Sequence, residues 1–89
     1  ISLKKVLPEP IKLLSSRADL ICLIKPQFEV GKKNISKGGI VRDLQIREDC
    51  CKDLKAWFET IVGFKVLNII ESPIKGPKGN TEYLIHVKK

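Results

Sequence analysis

The chain has no methionine, one histidine, one tryptophan and one tyrosine, and no apolar run longer than the five residues Leu20–Ile24. A membrane helix needs about 20 consecutive apolar residues, so no segment is written to cross a bilayer and no membrane partner is expected. A secretory leader is not expected either, because Lys4, Lys5 and Pro8 interrupt the N-terminal apolar residues. With methionine absent, Ile1 is not expected to be the natural start. Cysteine is scarce and odd in number: Cys22, Cys50 and Cys51, with one adjacent pair and no Cys-x-x-Cys. That spacing argues against a disulfide framework and against a zinc site. His86 has no cysteine or histidine at metal spacing, so its expected role is structural and no metal is expected. Free cysteines without a pairing pattern point to a reducing, cytoplasmic compartment.

What is present is a small basic domain. Eighty-nine residues, 43% hydrophobic and 30% charged, suffice for one domain with a thin core. The formal net charge is +7, unevenly spread. Between Lys25 and Arg42 stand five basic residues and a single acid, Glu29, and a second short loop carries Lys75 and Lys78. Two basic loops flanked by balanced segments suit a polyanion, although a solvated surface would look the same by charge alone.

Residues Ser2–Ser15 place Leu3, Val6, Leu7, Ile11 and Leu14 near helical spacing, with Ser2 as a cap and a kink or restart near Pro8. Leu20–Ile24 is too short for a helix and apolar on both faces, the pattern of a strand buried in a parallel sheet, and Lys25-Pro26 stops it. Pro26–Val41 shows no periodicity and reads as a long loop, of the kind that is usually functional or disordered. Its Gly31, Gly38 and Gly39 lack the spacing of a phosphate-cradling loop. Asp43 then caps a helix to Val62 whose stripe is Ile46, Cys50, Leu54, Trp57/Phe58 and Ile61, with Gly63 at the left-handed stop position. Trp57 and Phe58 lie on that stripe and belong to the core sooner than to a base-stacking platform. Phe64–Glu71 reads as a strand, Ser72–Gly79 as a Pro/Gly turn and Thr81–Val87 as a last strand.

The order is α-β-α-β-β. A strand–helix–strand unit implies a right-handed parallel crossover, whereas the short link from Glu71 to Thr81 joins only antiparallel strands. The expectation is part of an α/β sheet with its last strand reversed, too few strands for a whole doubly wound domain. Four stretches carry a family likeness: Ile1-Ser2-Leu3; Leu20–Ile24 running into Lys25-Pro26-Gln27-Phe28-Glu29; Lys37-Gly38-Gly39-Ile40-Val41-Arg42-Asp43; and Ser72-Pro73-Ile74-Lys75-Gly76-Pro77-Lys78-Gly79-Asn80-Thr81-Glu82-Tyr83-Leu84. Together they resemble the TlyA family, proteins called hemolysin A or rRNA 2′-O-methyltransferase and related to the FtsJ ribose methyltransferases. The likeness covers essentially all 89 residues, in order.

The resemblance implies that residues 1–89 are the C-terminal portion of one FtsJ-like, Rossmann-like methyltransferase domain using S-adenosyl-L-methionine (SAM). It implies a lysine–aspartate–lysine–glutamate catalytic set, of which Lys25 matches the second lysine and Glu82 the glutamate. The other two, the glycine-rich donor-binding turn and a small RNA-binding domain are expected ahead of Ile1. No cofactor-binding residue is therefore assigned within this chain. Strand direction supports the pairing independently. Lys25 ends a forward strand, where open α/β sheets bind ligands, and Glu82 begins a reversed strand at that same edge.

Methylation of a ribose hydroxyl requires that the hydroxyl lose its proton as it attacks. An amine held close, its proton affinity lowered by neighbouring positive charge or burial, can take that proton or steady the oxyanion, and a carboxylate can hold the amine in place. Lys32, Lys33, Lys37, Arg42, Lys75 and Lys78 are the candidate contacts to phosphates of rRNA or a ribosomal subunit. Two alternatives compete with the enzyme reading: a non-catalytic basic RNA-binding module, and a hemolysin-type membrane-active protein. The second is disfavoured by the mixed charge on the polar face of the 43–62 helix. Stripped of neighbouring strands, Leu20–Ile24 would expose an apolar sheet edge, so the fragment is expected to self-associate.

Overall fold

A computed structural model describes residues 2–61 and 63–89. The likeness at Ile1 and the predicted helix end at Val62 lie outside the described residues. Ser2 accepts a hydrogen bond from the backbone N–H of Lys4 and starts α1, Leu3–Val6. The prolines divide the first segment as expected, since α2, Pro8–Ile11, is a separate turn with proline in its first positions. Strand β1 spans Asp19–Ile24. The segment expected to be an unbroken loop instead begins with a one-turn helix, α3, Pro26–Glu29, followed by a 3₁₀ turn over Lys32–Asn34. Proline at the first helical position supplies a helical φ and gives up an N–H that would have been unbonded anyway, which periodicity cannot register.

The Asp43 side chain accepts from the N–H groups of Gln45 and Ile46 and caps α4, Leu44–Glu59. That helix stops earlier than the stripe suggested, with Thr60 closing its last turn and donating its hydroxyl to the Trp57 carbonyl. Gly63 does adopt the left-handed conformation, φ 88°, but beyond the helix proper. Strand β2 is Lys65–Glu71 and β3 is Tyr83–Lys88.

The three strands lie in the order β1-β3-β2. The last strand is antiparallel to both neighbours, so β1 and β2 run the same way on either side of it. The crossover through α4 is thus parallel in direction but spans the reversed strand. A bulge between Val66 and Asn68 shifts the β2 register.

One face of this sheet is covered. Ile24, Ile85, Val87, Phe58 and Leu54 are essentially inaccessible and form the core with Leu7, Ile11, Cys50, Cys51 and Tyr83. Trp57 packs edge-on to Phe58, ring centroids 4.9 Å apart, as expected of a core pair. Burial pushes the Cys50 and Cys51 thiols up to about 12 and about 11, so both stay protonated at neutral pH and act as small apolar residues. The other face is open. Ile21 is 66% and Ile70 50% exposed, so β1 is not the doubly buried strand its composition suggested. Its apolar outward residues have no covering layer among the described residues, and its outer edge has no strand partner there. His86 bonds Asp19 at 2.8 Å across the β1–β3 pair, a structural role. No helix among the described residues is long and apolar enough to cross a membrane.

Candidate active site

The register of β1 on β3 decides where the two site residues stand. Ile24 pairs with Tyr83, both facing the core, so one step further Lys25 and Glu82 emerge together at one rim, on the opposite side. Lys25 is half-buried as the cap residue of α3, and its ammonium sits 5.6 Å from the centroid of the Phe28 ring. Glu82 is a surprise for a residue at a strand entry, being only 4% exposed. The two side chains share a rim without an ion pair between them among the described residues. The carboxylate instead accepts a hydrogen bond from the Gln27 side-chain amide at 2.9 Å.

Burial of Glu82 is possible because of Gly76. A Cβ on Gly76 would lie 2.0 Å from the Glu82 Oε2 and 2.4 Å from its carboxyl carbon, so the carboxylate rests directly on the loop backbone. Glu29, the lone acid of the first basic loop, is occupied elsewhere. It accepts from the Ser2 hydroxyl at 2.7 Å and the Leu3 N–H at 2.9 Å, tying α3 to the start of α1.

The two basic loops are stitched together by Asn80, 2% exposed. Its side-chain oxygen accepts from the Val41 N–H at 3.0 Å, and its amide donates to the carbonyls of Gly39 at 2.9 Å and Pro77 at 3.3 Å. Arg47 completes the join from α4, donating to the Tyr83 hydroxyl at 3.2 Å and to the Arg42 carbonyl at 2.9 Å. Sequence reasoning passed over Gln27, Gly76, Asn80 and Arg47. Asn80 had one signal, since asparagine after a glycine turn bonds backbone readily. Replacing Asn80 by alanine is expected to strand the buried Val41 N–H and cost about 1–3 kcal/mol, read as a lower denaturation midpoint.

The candidate RNA contacts divide. Lys32, Lys33, Lys37 and Arg42 are exposed along the first loop. Lys75 is partly engaged, its ammonium 3.0 Å from the Thr81 hydroxyl and 3.8 Å from the Glu71 carboxylate. Lys78 adopts a left-handed φ of 62°. Its ammonium lies 3.3 Å from where a Gly39 Cβ would be, so it reaches over the first loop. Five of the six therefore carry charge free of intramolecular ion pairs among the described residues.

The cavity beside Lys25, about 230 Å³ and lined by Leu3, Val6, Leu23, Lys25, Phe28 and Glu29, offers one carboxylate, and Glu29 already spends it on α1.

The chain is similar to known proteins over essentially its whole length. The FtsJ-like methyltransferase family profile matches residues 1–89. Hemolysin A of Brachyspira hyodysenteriae is 47% identical over 88 residues, covering 97% of this chain and 35% of that protein. The 16S/23S rRNA (cytidine-2′-O)-methyltransferase TlyA of Mycobacterium tuberculosis is 38% identical over 88 residues, covering 99% of this chain and 32% of that protein. A solved structure of a Lactococcus lactis protein described as a hemolysin superposes over 100% of this chain and 42% of its own, with TM-score 0.91 and 36% identity. The chain thus spans about a third of the length of the two relatives compared. With the reversed strand lying between β1 and β2 and the profile matching from end to end, this chain belongs to the FtsJ-like methyltransferase family.

Proposed function

We propose that this chain is the C-terminal part of a SAM-dependent enzyme that methylates a ribose 2′-hydroxyl of rRNA, and that Lys25 and Glu82 act in that transfer. The observation that carries the reading is the Glu82 carboxylate: buried at the rim where Lys25 emerges, each one step beyond the Ile24–Tyr83 pair, with a single neutral donor on it. A buried carboxylate is costly unless it is paired, and its two oxygens can accept more hydrogen bonds than the one made to Gln27. The Lys25 amine, half-buried at the same rim, would receive the hydroxyl proton or steady the oxyanion, and Glu82 would hold that amine in line. SAM would be bound by residues outside this chain.

Lys32, Lys33, Lys37, Arg42, Lys75 and Lys78 would meet RNA phosphates, which makes binding salt-sensitive. The relative described as a 16S/23S rRNA (cytidine-2′-O)-methyltransferase supports the choice of substrate. Acting on ribosomal RNA, the protein would work in the cytoplasm. The test is transfer of labelled methyl from SAM to rRNA by the full-length protein, with nucleoside mass spectrometry to locate the label. A 2′-O-methylated ribose is the expected product; label on a base, or none, would sink the reading.

Residues 1–89 alone are also expected to self-associate. The outer edge of β1 is unpaired among the described residues, and Ile21 beside it is mostly exposed. Sedimentation should find dimers or larger species, and a monodisperse monomer would refute this.

A further inference from the structure

Gln27 is bonded on one side only. Its amide nitrogen donates to Glu82 at 2.9 Å, while its carbonyl oxygen is buried without a partner. Rotating the amide by half a turn would set that oxygen against the carboxylate, lone pair to lone pair. The orphaned carbonyl is therefore the consequence of keeping the N–H on Glu82. Buried polar atoms left without a partner are uncommon in folded proteins, and each calls for an explanation. The fold reinforces the arrangement. Gln27 stands on α3, whose first residue, Pro26, is buried and whose last, Glu29, is bonded to α1, so the turn that carries the amide is tied at both ends. The same Glu82 oxygen that Gln27 bonds, Oε2, is the one nearest the Gly76 Cβ position, so Gly76 closes in the carboxylate as well. Asn80 holds the loop that carries Gly76, and the Gly76 N–H donates to the Asn80 carbonyl at 2.8 Å.

We infer that Gln27 is a positioning residue, whose side-chain amide fixes the orientation of the Glu82 carboxylate at the rim it shares with Lys25. The inference rests on the methyl transfer proposed above and acts through Glu82, since Gln27 need touch neither substrate nor donor. Lys25 and Gln27 leave the same short segment, so one turn carries both the amine and the group that holds the carboxylate. A glutamine that only fills space would make a different prediction: methionine, close in size and shape, would replace it without loss.

The test uses the full-length protein with SAM and rRNA, comparing wild type, Gln27→Met and Gln27→Glu. Gln27→Met should lower kcat roughly tenfold and leave KM for RNA within about twofold, because the interaction acts on the chemical step. Gln27→Glu should be lower still, with two carboxylates facing one another. A kcat for Gln27→Met within about twofold of wild type would overturn the inference. A second readout is independent of activity. The Gln27 side-chain amide protons should exchange slowly with solvent in the wild type and rapidly in Glu82→Ala; rapid exchange in both proteins would also overturn it. Absence of methyl transfer by the wild type would defeat the proposed function, while the exchange comparison would still judge Gln27.

Discussion

In the full-length protein, Lys25→Ala is expected to cut methyl transfer by about 10²–10⁴-fold, the usual worth of a positioned acid–base group. RNA affinity should stay within about twofold, since six other basic residues supply the phosphate contacts and one lysine accounts for a small part of the total. The substitution should also leave stability nearly unchanged. Lys25 makes no ion pair among the described residues, and the aromatic contact it would lose, to a Phe28 ring that is 51% exposed, is a weak one. Filter binding and a single-turnover methylation assay on the same preparation separate the outcomes. Unchanged methylation would reduce the residue to a bystander and favour a plain RNA-binding module. Loss of both activity and RNA binding would mean that the lysine holds substrate instead of serving the chemistry.

The second large effect is expected at Gly76. Its φ of −76° is open to any residue, so alanine there meets no backbone penalty. What the new methyl meets is the Glu82 carboxylate, at 2.0 Å, and one of the two must move. Glu82 has little freedom to do so, enclosed as it is and bonded to Gln27. Gly76→Ala should therefore displace the carboxylate by about an ångström and lower methyl transfer on the order of 10²-fold, as misplacement of that size commonly does. Overpacking should in addition cost about 1–3 kcal/mol. Gly31 is the natural control: it lies in the other basic loop with nothing within 4 Å of an added Cβ, and Gly31→Ala should retain activity. Equal rates for the two variants would show that the carboxylate does not need its place on the loop.

Local signals carried most of the architecture. Asp43 as cap, Pro8 as break, the Cys50–Leu54–Phe58 stripe and the reversal of the last strand are each dictated by residues close together in the chain. That residues 25 and 82 share a rim follows from strand direction alone. Other features depend on distant partners. The exposure of Ile21 was hidden because an apolar run reads the same whether or not both of its faces are covered. The burial of Glu82 depends on a glycine six positions earlier and on Gln27, 55 positions away. The Asn80 stitch spans about 40 positions, from residue 80 back to Gly39 and Val41, and no periodicity reports such a bond. Glu29 stands out in the sequence as the lone acid in a basic stretch, but only the structure shows that its oxygens hold the start of α1.

The middle position of β3 has a consequence for the timing of synthesis. Both flanking strands need it as their hydrogen-bond partner, and it leaves the ribosome after them. Until then β1 and β2 have no partner in this unit, and the pairing of Asp19 with Lys88 must close most of the chain length in one step. Ordering is therefore slow and governed by contacts distant in sequence, with apolar strands waiting unsatisfied in the nascent protein. A newly made chain is most open to misassociation in the interval before β3 arrives.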